Sequence, residues 1–178
     1  MNIKYRRDLW QVVPAVGDAV EIGVAEGYFS ADILAWPLKF PRVYMVDRWM
    51  SVATQKGDAS NSQSWHDKNL SDAQARVAKF GDRAVFLRGD SVEMANQVPD
   101  GSLALVYIDG DHSYEGCLRD IMAWFPKLGP GAVMGFHDYE NPVYGVKQAV
   151  GVFTTAHSLP VRLLPEDKME DAGAYFIL

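Results

Sequence analysis

Four side chains in the second half of the 178-residue chain could do chemistry together: Asp109, His112, His137 and Asp138. Asp109 directly follows the apolar run Leu103 to Ile108. His137 and Asp138 directly follow the run Ala132 to Phe136. Near-continuous apolar runs of this length suit strands buried on both faces of a sheet. Neighbouring strands lie ~5 Å apart, so acids at two adjacent strand ends can converge. Two carboxylates forced together are costly unless a proton or a cation sits between them. Oxygen-rich ligands make Mg²⁺ the default cation. An imidazole ligand from His137 tilts the choice toward Mn²⁺, Fe²⁺ or Zn²⁺. Asp111 is an alternative ligand, in which case Asp109 only caps a loop. Either histidine could instead be a hydrogen-bonded structural residue.

A second constellation lies near the start. The apolar residues Ala19, Val20 and Ile22 lead to Gly23, and Gly27 follows four positions later, before a segment that reads as a helix. This is a strand, a tight glycine turn and a helix start. Glycine admits positive φ and close approach of a ligand to the backbone. The free N–H groups of the helix start favour a polar or anionic ligand. The spacing is G-x-x-x-G, without the central glycine of the dinucleotide fingerprint. Glu21, just before the turn, would repel a pyrophosphate and welcome an ammonium. A second apolar strand, Val43 to Val46, ends in Asp47, about 20 residues past Gly27. That is the spacing of an acid that binds ribose hydroxyls. Together these parts describe a nucleoside site. A tight turn with no ligand is the plain alternative.

At these residues the chain resembles the class I S-adenosylmethionine-dependent methyltransferases. Glu21, Gly23 and Gly27 match their first motif, and Asp47 matches the acid at the end of their second strand. The resemblance implies that Glu21 and the glycine turn face the methionine end and that Asp47 holds the ribose. It also implies that Asp90 binds the adenine amino group, with Ser91 adjacent; a helix N-cap is the alternative for either. The segment Tyr107-Ile108-Asp109-Gly110-Asp111-His112-Ser113-Tyr114-Glu115, with Gly129-Pro130-Gly131 and His137-Asp138-Tyr139, resembles the metal-dependent O-methyltransferase branch of cephalosporin-hydroxylase, macrocin and catechol type. There an acid after strand four and a pair after strand five hold Mg²⁺. The resemblance implies Asp109, His137 and Asp138 as metal ligands, Mg²⁺ or Mn²⁺ as the metal, and His112 as the base that takes the acceptor's proton. Histidine suits a base working near neutrality. His137 departs from the usual acid pair. A nicotinamide-dependent oxidoreductase and a catalytically inactive nucleoside-binding module are the rival readings; the missing fingerprint and acidic Glu21 oppose the first, the intact acid and histidine set the second.

The elements needed to position these groups can be read from the pattern. Helices are expected over residues 4–13, 29–36, 65–80, 114–127 and 142–156, the last opening at Pro142, with a short one starting at Ser91. Strands are expected over 42–47, 84–87, 103–108, 132–136, 161–164 and 173–178, after the first at Ala19. Gly129-Pro130-Gly131 reads as a turn. The fold expected is a single α/β domain over 1–178, doubly wound and Rossmann-like. Its seven-stranded sheet is mostly parallel, with an antiparallel last strand and helices on both faces. Residues 48–64 are polar and aperiodic, and leave the edge where ligands bind. They read as a mobile substrate lid, with Trp49, Met50 and Trp65 as contacts. His66 is a weak candidate contact, and His157 has no expected role.

Composition bounds the rest. A net charge of −6 opposes bulk electrostatic binding of nucleic acid. One cysteine, Cys117, excludes an internal disulfide; a buried thiol in a reducing cytoplasm is expected. No apolar run reaches the ~20 residues of a membrane span, and the N-terminus lacks the apolar core of a signal peptide. The expected partner is a small-molecule acceptor. The short N-terminal segment leaves little room for a capping domain, so a homodimer could complete the pocket.

Overall fold

The computed structural model describes residues 3–14, 16–37, 40–52, 60–165 and 172–178. Seven strands form one sheet: β1 (Asp18–Ile22), β2 (Val43–Asp47), β3 (Ala84–Arg88), β4 (Leu103–Ile108), β5 (Leu128–Phe136), β6 (Arg162–Leu164) and β7 (Gly173–Ile177), in the order β3-β2-β1-β4-β5-β7-β6. The β3-β2-β1-β4-β5 pairings are parallel, and β7 runs antiparallel to both β5 and β6. The fold is the doubly wound α/β architecture the sequence predicts. Strand order reverses between β1 and β4, so a crevice opens at their carboxyl ends.

Alternation along the strands builds two cores. On one face Ala19, Met45, Tyr107 and Val133 pack under α1 (Tyr28–Ala35) and α2 (Gln63–Val77). On the other, Ile22, Val106, Met134 and Phe136 pack under α4 (Tyr114–Trp124) and α5 (Val146–His157). The short α3 (Ser91–Ala95) lies on this second face through Ala95. Serines cap two helices: Ser62 Oγ accepts from Trp65 N, and Ser113 Oγ from Gly116 N.

The differences from expectation are local. The N-terminal helix is 3₁₀, Arg6–Gln11, and buries Leu9 against the sheet. Gly129-Pro130-Gly131 lies within β5: the β4–β5 register jumps from Leu103↔Leu128 to Leu105↔Val133, so the extra residues form a bulge, with Gly131 at φ 73°. Helix α5 starts at Val146 rather than Pro142 because Gly145 is drawn in to donate to His112 O. Of the expected lid, residues 53–59 lie outside the described set, and Gln63 and Ser64 already belong to α2. Trp49 is no lid contact. It is 1% exposed, tilted against Phe86, with its indole N–H bonded to Ala25 O. Cys117 is buried as expected, and burial pushes its thiol up to about 12. Among the described residues no helix is long and apolar enough to cross a membrane.

Candidate active site

The glycine turn is held by packing. At φ 85°, Gly23 sits where an added Cβ would lie 2.0 Å from Asp109 O, so the exit of β4 fills the space beside it. Gly27, at φ 76°, begins α1 and rests against Ala73 of α2. Backbone crowding requires the glycine at 23, and the positive φ favours one at 27, where the sequence suggested ligand approach. Ala25 completes the turn at φ 47°, a left-handed value uncommon for a residue with a side chain.

Asp47, at the tip of β2, organises this turn. Its Oδ2 accepts from Val24 N at 2.9 Å and Ala25 N at 3.0 Å, and its Oδ1 accepts from Trp49 N at 2.8 Å. A carboxylate offers about four acceptor positions. Three are taken, which leaves room for one further donor such as a sugar hydroxyl. Glu21 is 2% exposed and accepts from Ser30 Oγ. Burial raises its carboxyl to about 8; nearby Asp109 adds to this, while Ser30 and Arg6 oppose it. Its carboxyl is therefore buried, one residue before the end of β1. Asp90 caps α3 through Val92 N at 3.1 Å and pairs with Arg48 at 2.7 Å and Arg119 at 3.5 Å. Burial opposes ionisation of Asp90, but these donors prevail and hold its carboxyl below the usual range. Ser91 Oγ faces the core and accepts from Trp124 Nε1 at 2.8 Å.

Across the crevice, Asp109, His112, His137 and Asp138 come together, with one ligand-capable atom of each inside 4.8 Å of the others. His112 Nε2 lies 2.9 Å from Asp138 Oδ2 and 3.4 Å from Asp109 Oδ1. His137 Nδ1 lies 3.0 Å and 3.4 Å from the same two oxygens. Both ring nitrogens are buried, yet neither meets a carboxylate with hydrogen-bond geometry. Four donor atoms this close together, two of them buried imidazole nitrogens without an aligned hydrogen bond, fit a divalent cation. Burial would lower the His112 imidazole, but Asp109 and Asp138 outweigh it and raise it to about 9. His137 is raised by the same balance. Burial would raise the Asp138 carboxyl, but the two imidazoles hold it far below the usual range. Asp138 also has φ 52°, backbone strain concentrated at a candidate ligand. Asp111 is turned away: its carboxylate packs on Gly116 and accepts from Ser113 N at 2.9 Å. Of the two candidate acids after β4, Asp109 is the one in the cluster.

Two neighbours were invisible in the sequence. Arg6, from the N-terminal 3₁₀ helix, reaches Asp109 Oδ2 at 3.2 Å and lies over the Phe29 ring. Tyr144 stacks on His112 with ring centroids 4.6 Å apart. The only hint of Arg6 was basic residues on an amphipathic segment; Tyr144 left no signal. His66 is buried beside Trp65, and His157 stacks on Phe153.

This strand order and crevice define a class I methyltransferase fold. Residues 20–139 match the family described as "Methyltransferase domain". The chain belongs to that family, with the class I methyltransferase fold. Among solved structures it is similar to CalS11, a calicheamicin methyltransferase (TM-score 0.66, 21% identity, 97% of this chain and 74% of that one). It is similar to the O-methyltransferase NovP (TM-score 0.65, 22% identity, 95% and 74%). It also resembles a putative rRNA-methylase from Clostridium thermocellum (TM-score 0.68, 15% identity, 99% of both chains). At these identities the likeness is one of fold. An uncharacterized protein, y4gI, of Sinorhizobium fredii (strain NBRC 101917 / NGR234) is 37% identical over 60 residues; the match spans 34% of this chain and 7% of that protein.

Proposed function

We propose that the chain transfers a methyl group from S-adenosylmethionine to a hydroxyl of a small molecule or sugar, with a divalent metal held by Asp109, His137 and Asp138. The observation behind this is the convergence of those side chains and His112 at the strand ends facing the glycine turn. An imidazole nitrogen from His137 beside the carboxylates of Asp109 and Asp138 favours Mn²⁺ over Mg²⁺. The chemistry such a cation supplies is a lowered pKa for an acceptor hydroxyl. Asp47 has an acceptor position left for a ribose hydroxyl, and the turn it braces sets the position of the donor. His112 then takes the acceptor's proton on Nε2, its ring fixed by Tyr144. A cation held by Asp109 and Asp138 would share their charge and so remove the bias that keeps His112 protonated. Rate comes from aligning acceptor oxygen and sulfonium methyl. The sugar reading draws on CalS11, described as a TDP-rhamnose 3'-O-methyltransferase. A second copy of the chain could complete the acceptor pocket, which sedimentation would reveal.

The test is methyl transfer to a panel of sugar and phenolic hydroxyls, with and without EDTA. Turnover should fall to background in EDTA and return with Mn²⁺. Full activity in EDTA would remove the metal from this account.

A further inference from the structure

The cluster at the β4 and β5 tips has a cation of its own, delivered from the other end of the chain. We propose that Arg6 sets how tightly Asp109, His137 and Asp138 hold a divalent metal, because its guanidinium is the resident counter-ion of Asp109 and competes with the metal for that carboxylate; the assignment rests on the metal reading above.

The two oxygens of Asp109 face different partners. Its Oδ2 lies 3.2 Å from Arg6 Nη1, and its Oδ1 lies 3.4 Å from both His112 Nε2 and His137 Nδ1. The guanidinium has little freedom to leave. It lies over the Phe29 ring, 4.7 Å from the centroid, and interacts with Tyr107, whose ring packs 4.5 Å from that of Phe29. Three residues on, Leu9 is fully buried and fastens the 3₁₀ helix to the sheet. Two other nearby acids give the guanidinium no relief. Asp8, on the same helix, is spent on Lys4 N and Tyr5 N. Glu21 accepts from Ser30 Oγ, and burial raises its carboxyl to about 8, so it is mostly neutral at pH 7.

Charge decides what this contact does. Ligand-capable oxygens of Asp109 and Asp138 lie within 4.8 Å of each other, and two carboxylates this close need a cation beside them. A guanidinium is charged at every working pH, so Arg6 supplies that cation from within the chain. It thereby cancels one of the two negative charges that the cluster offers a divalent metal. A unit charge ~6 Å from a divalent ion changes its affinity by about tenfold even at the dielectric of water. Because Phe29, Tyr107 and Leu9 hold Arg6 in place, the repulsion persists when a metal binds. Arg6 thus keeps the ligands gathered in the metal-free protein and leaves the metal loosely held.

The test is binding of Mn²⁺ alone to the full chain at pH 7.5 and constant ionic strength, with the free ion counted by electron paramagnetic resonance. R6Q, which removes the charge, should bind Mn²⁺ at least ~10-fold more tightly than wild type. R6M should do the same, so a folding defect in one variant leaves the other to decide. R6K keeps the charge and should stay within about threefold of wild type. Thermal melting gives a second readout: Mn²⁺ should raise the melting temperature more in R6Q than in wild type. Equal or weaker Mn²⁺ binding by R6Q and R6M overturns the proposal and leaves the metal reading standing. Tightening in R6K as large as in R6Q overturns it too, since the charge would not be the cause. Saturable binding by neither wild type nor the variants overturns both.

Discussion

At the scale of single residues, crowding and charge burial make opposite demands at the tip of β1 and on helix α4. Gly23 has no room for a Cβ, which would lie 2.0 Å from Asp109 O, and its φ of 85° is strained for any side chain. The contact is backbone against backbone and cannot relax by rotation. Gly23→Ala should therefore cost several kcal/mol, roughly 3 or more, and appear as a large drop in melting temperature or as insoluble protein. A melting curve that matches wild type would show that the β1–β4 crevice is wider than the structure has it. Asp120, buried with the Ser91 hydroxyl as its hydrogen-bond partner, makes the other demand. Its carboxyl moves from the ordinary 3.8 to about 6 on folding, so the folded state holds the proton more tightly. Its contribution is fully present below the unfolded pKa and is lost as pH rises through 6. Between pH 4 and pH 7 wild type should lose about 2 kcal/mol from this group. Asp120→Asn removes that loss, so the variant should be the more stable protein at pH 7 by urea denaturation. Equal stability of the two at pH 7 would mean the buried charge has a donor beyond Ser91.

At the scale of elements, the N-terminal 3₁₀ helix does more than close the core. Leu9 is fully buried and its methyl packs at Gly135 of β5, while Arg6, three residues earlier, reaches Asp109. Leu9→Ala should cost about 2–5 kcal/mol, the usual range for emptying a buried leucine site, and should raise amide exchange through Arg6–Gln11 before other segments. Exchange unchanged there would mean that Arg6 alone holds the segment. This element also shows where reading the sequence stops. The strands carrying Asp47, Asp109 and Asp138 were legible because a run of apolar residues ending in an acid is a local pattern. Asp109 and Arg6 are 103 residues apart, and no periodicity connects them. Trp49 was misassigned because a polar stretch around an aromatic gives no sign that the ring turns back against Phe86 of β3. The start of α5 was missed because Pro142 suits a first helical turn, but the tie from Gly145 to His112 is tertiary.

At the scale of the molecule, the sheet divides the labour at its switch point. The β1–β2 side holds Asp47 and the turn it braces, and the β4–β5 side holds Asp109, His112, His137 and Asp138. The two sides touch where Asp109 N donates to Ile22 O and where Asp109 O closes over Gly23. If cofactor binding belongs to the first side and acceptor activation to the second, variants on each side should fail differently. Asp47→Ala frees three backbone N–H groups and removes the acceptor offered to the ribose. It should weaken S-adenosylhomocysteine binding by roughly 10- to 100-fold in calorimetry. Asp109→Ala keeps Asp47 and the glycine turn but removes one carboxylate from the four-atom cluster. It should bind S-adenosylhomocysteine within about threefold of wild type while methyl transfer falls to background, since one lost ligand leaves too few donors to hold a cation in place. If Asp109→Ala instead lost the nucleoside while keeping turnover at saturating cofactor, the cluster would belong to cofactor binding and the division at the switch point would be wrong.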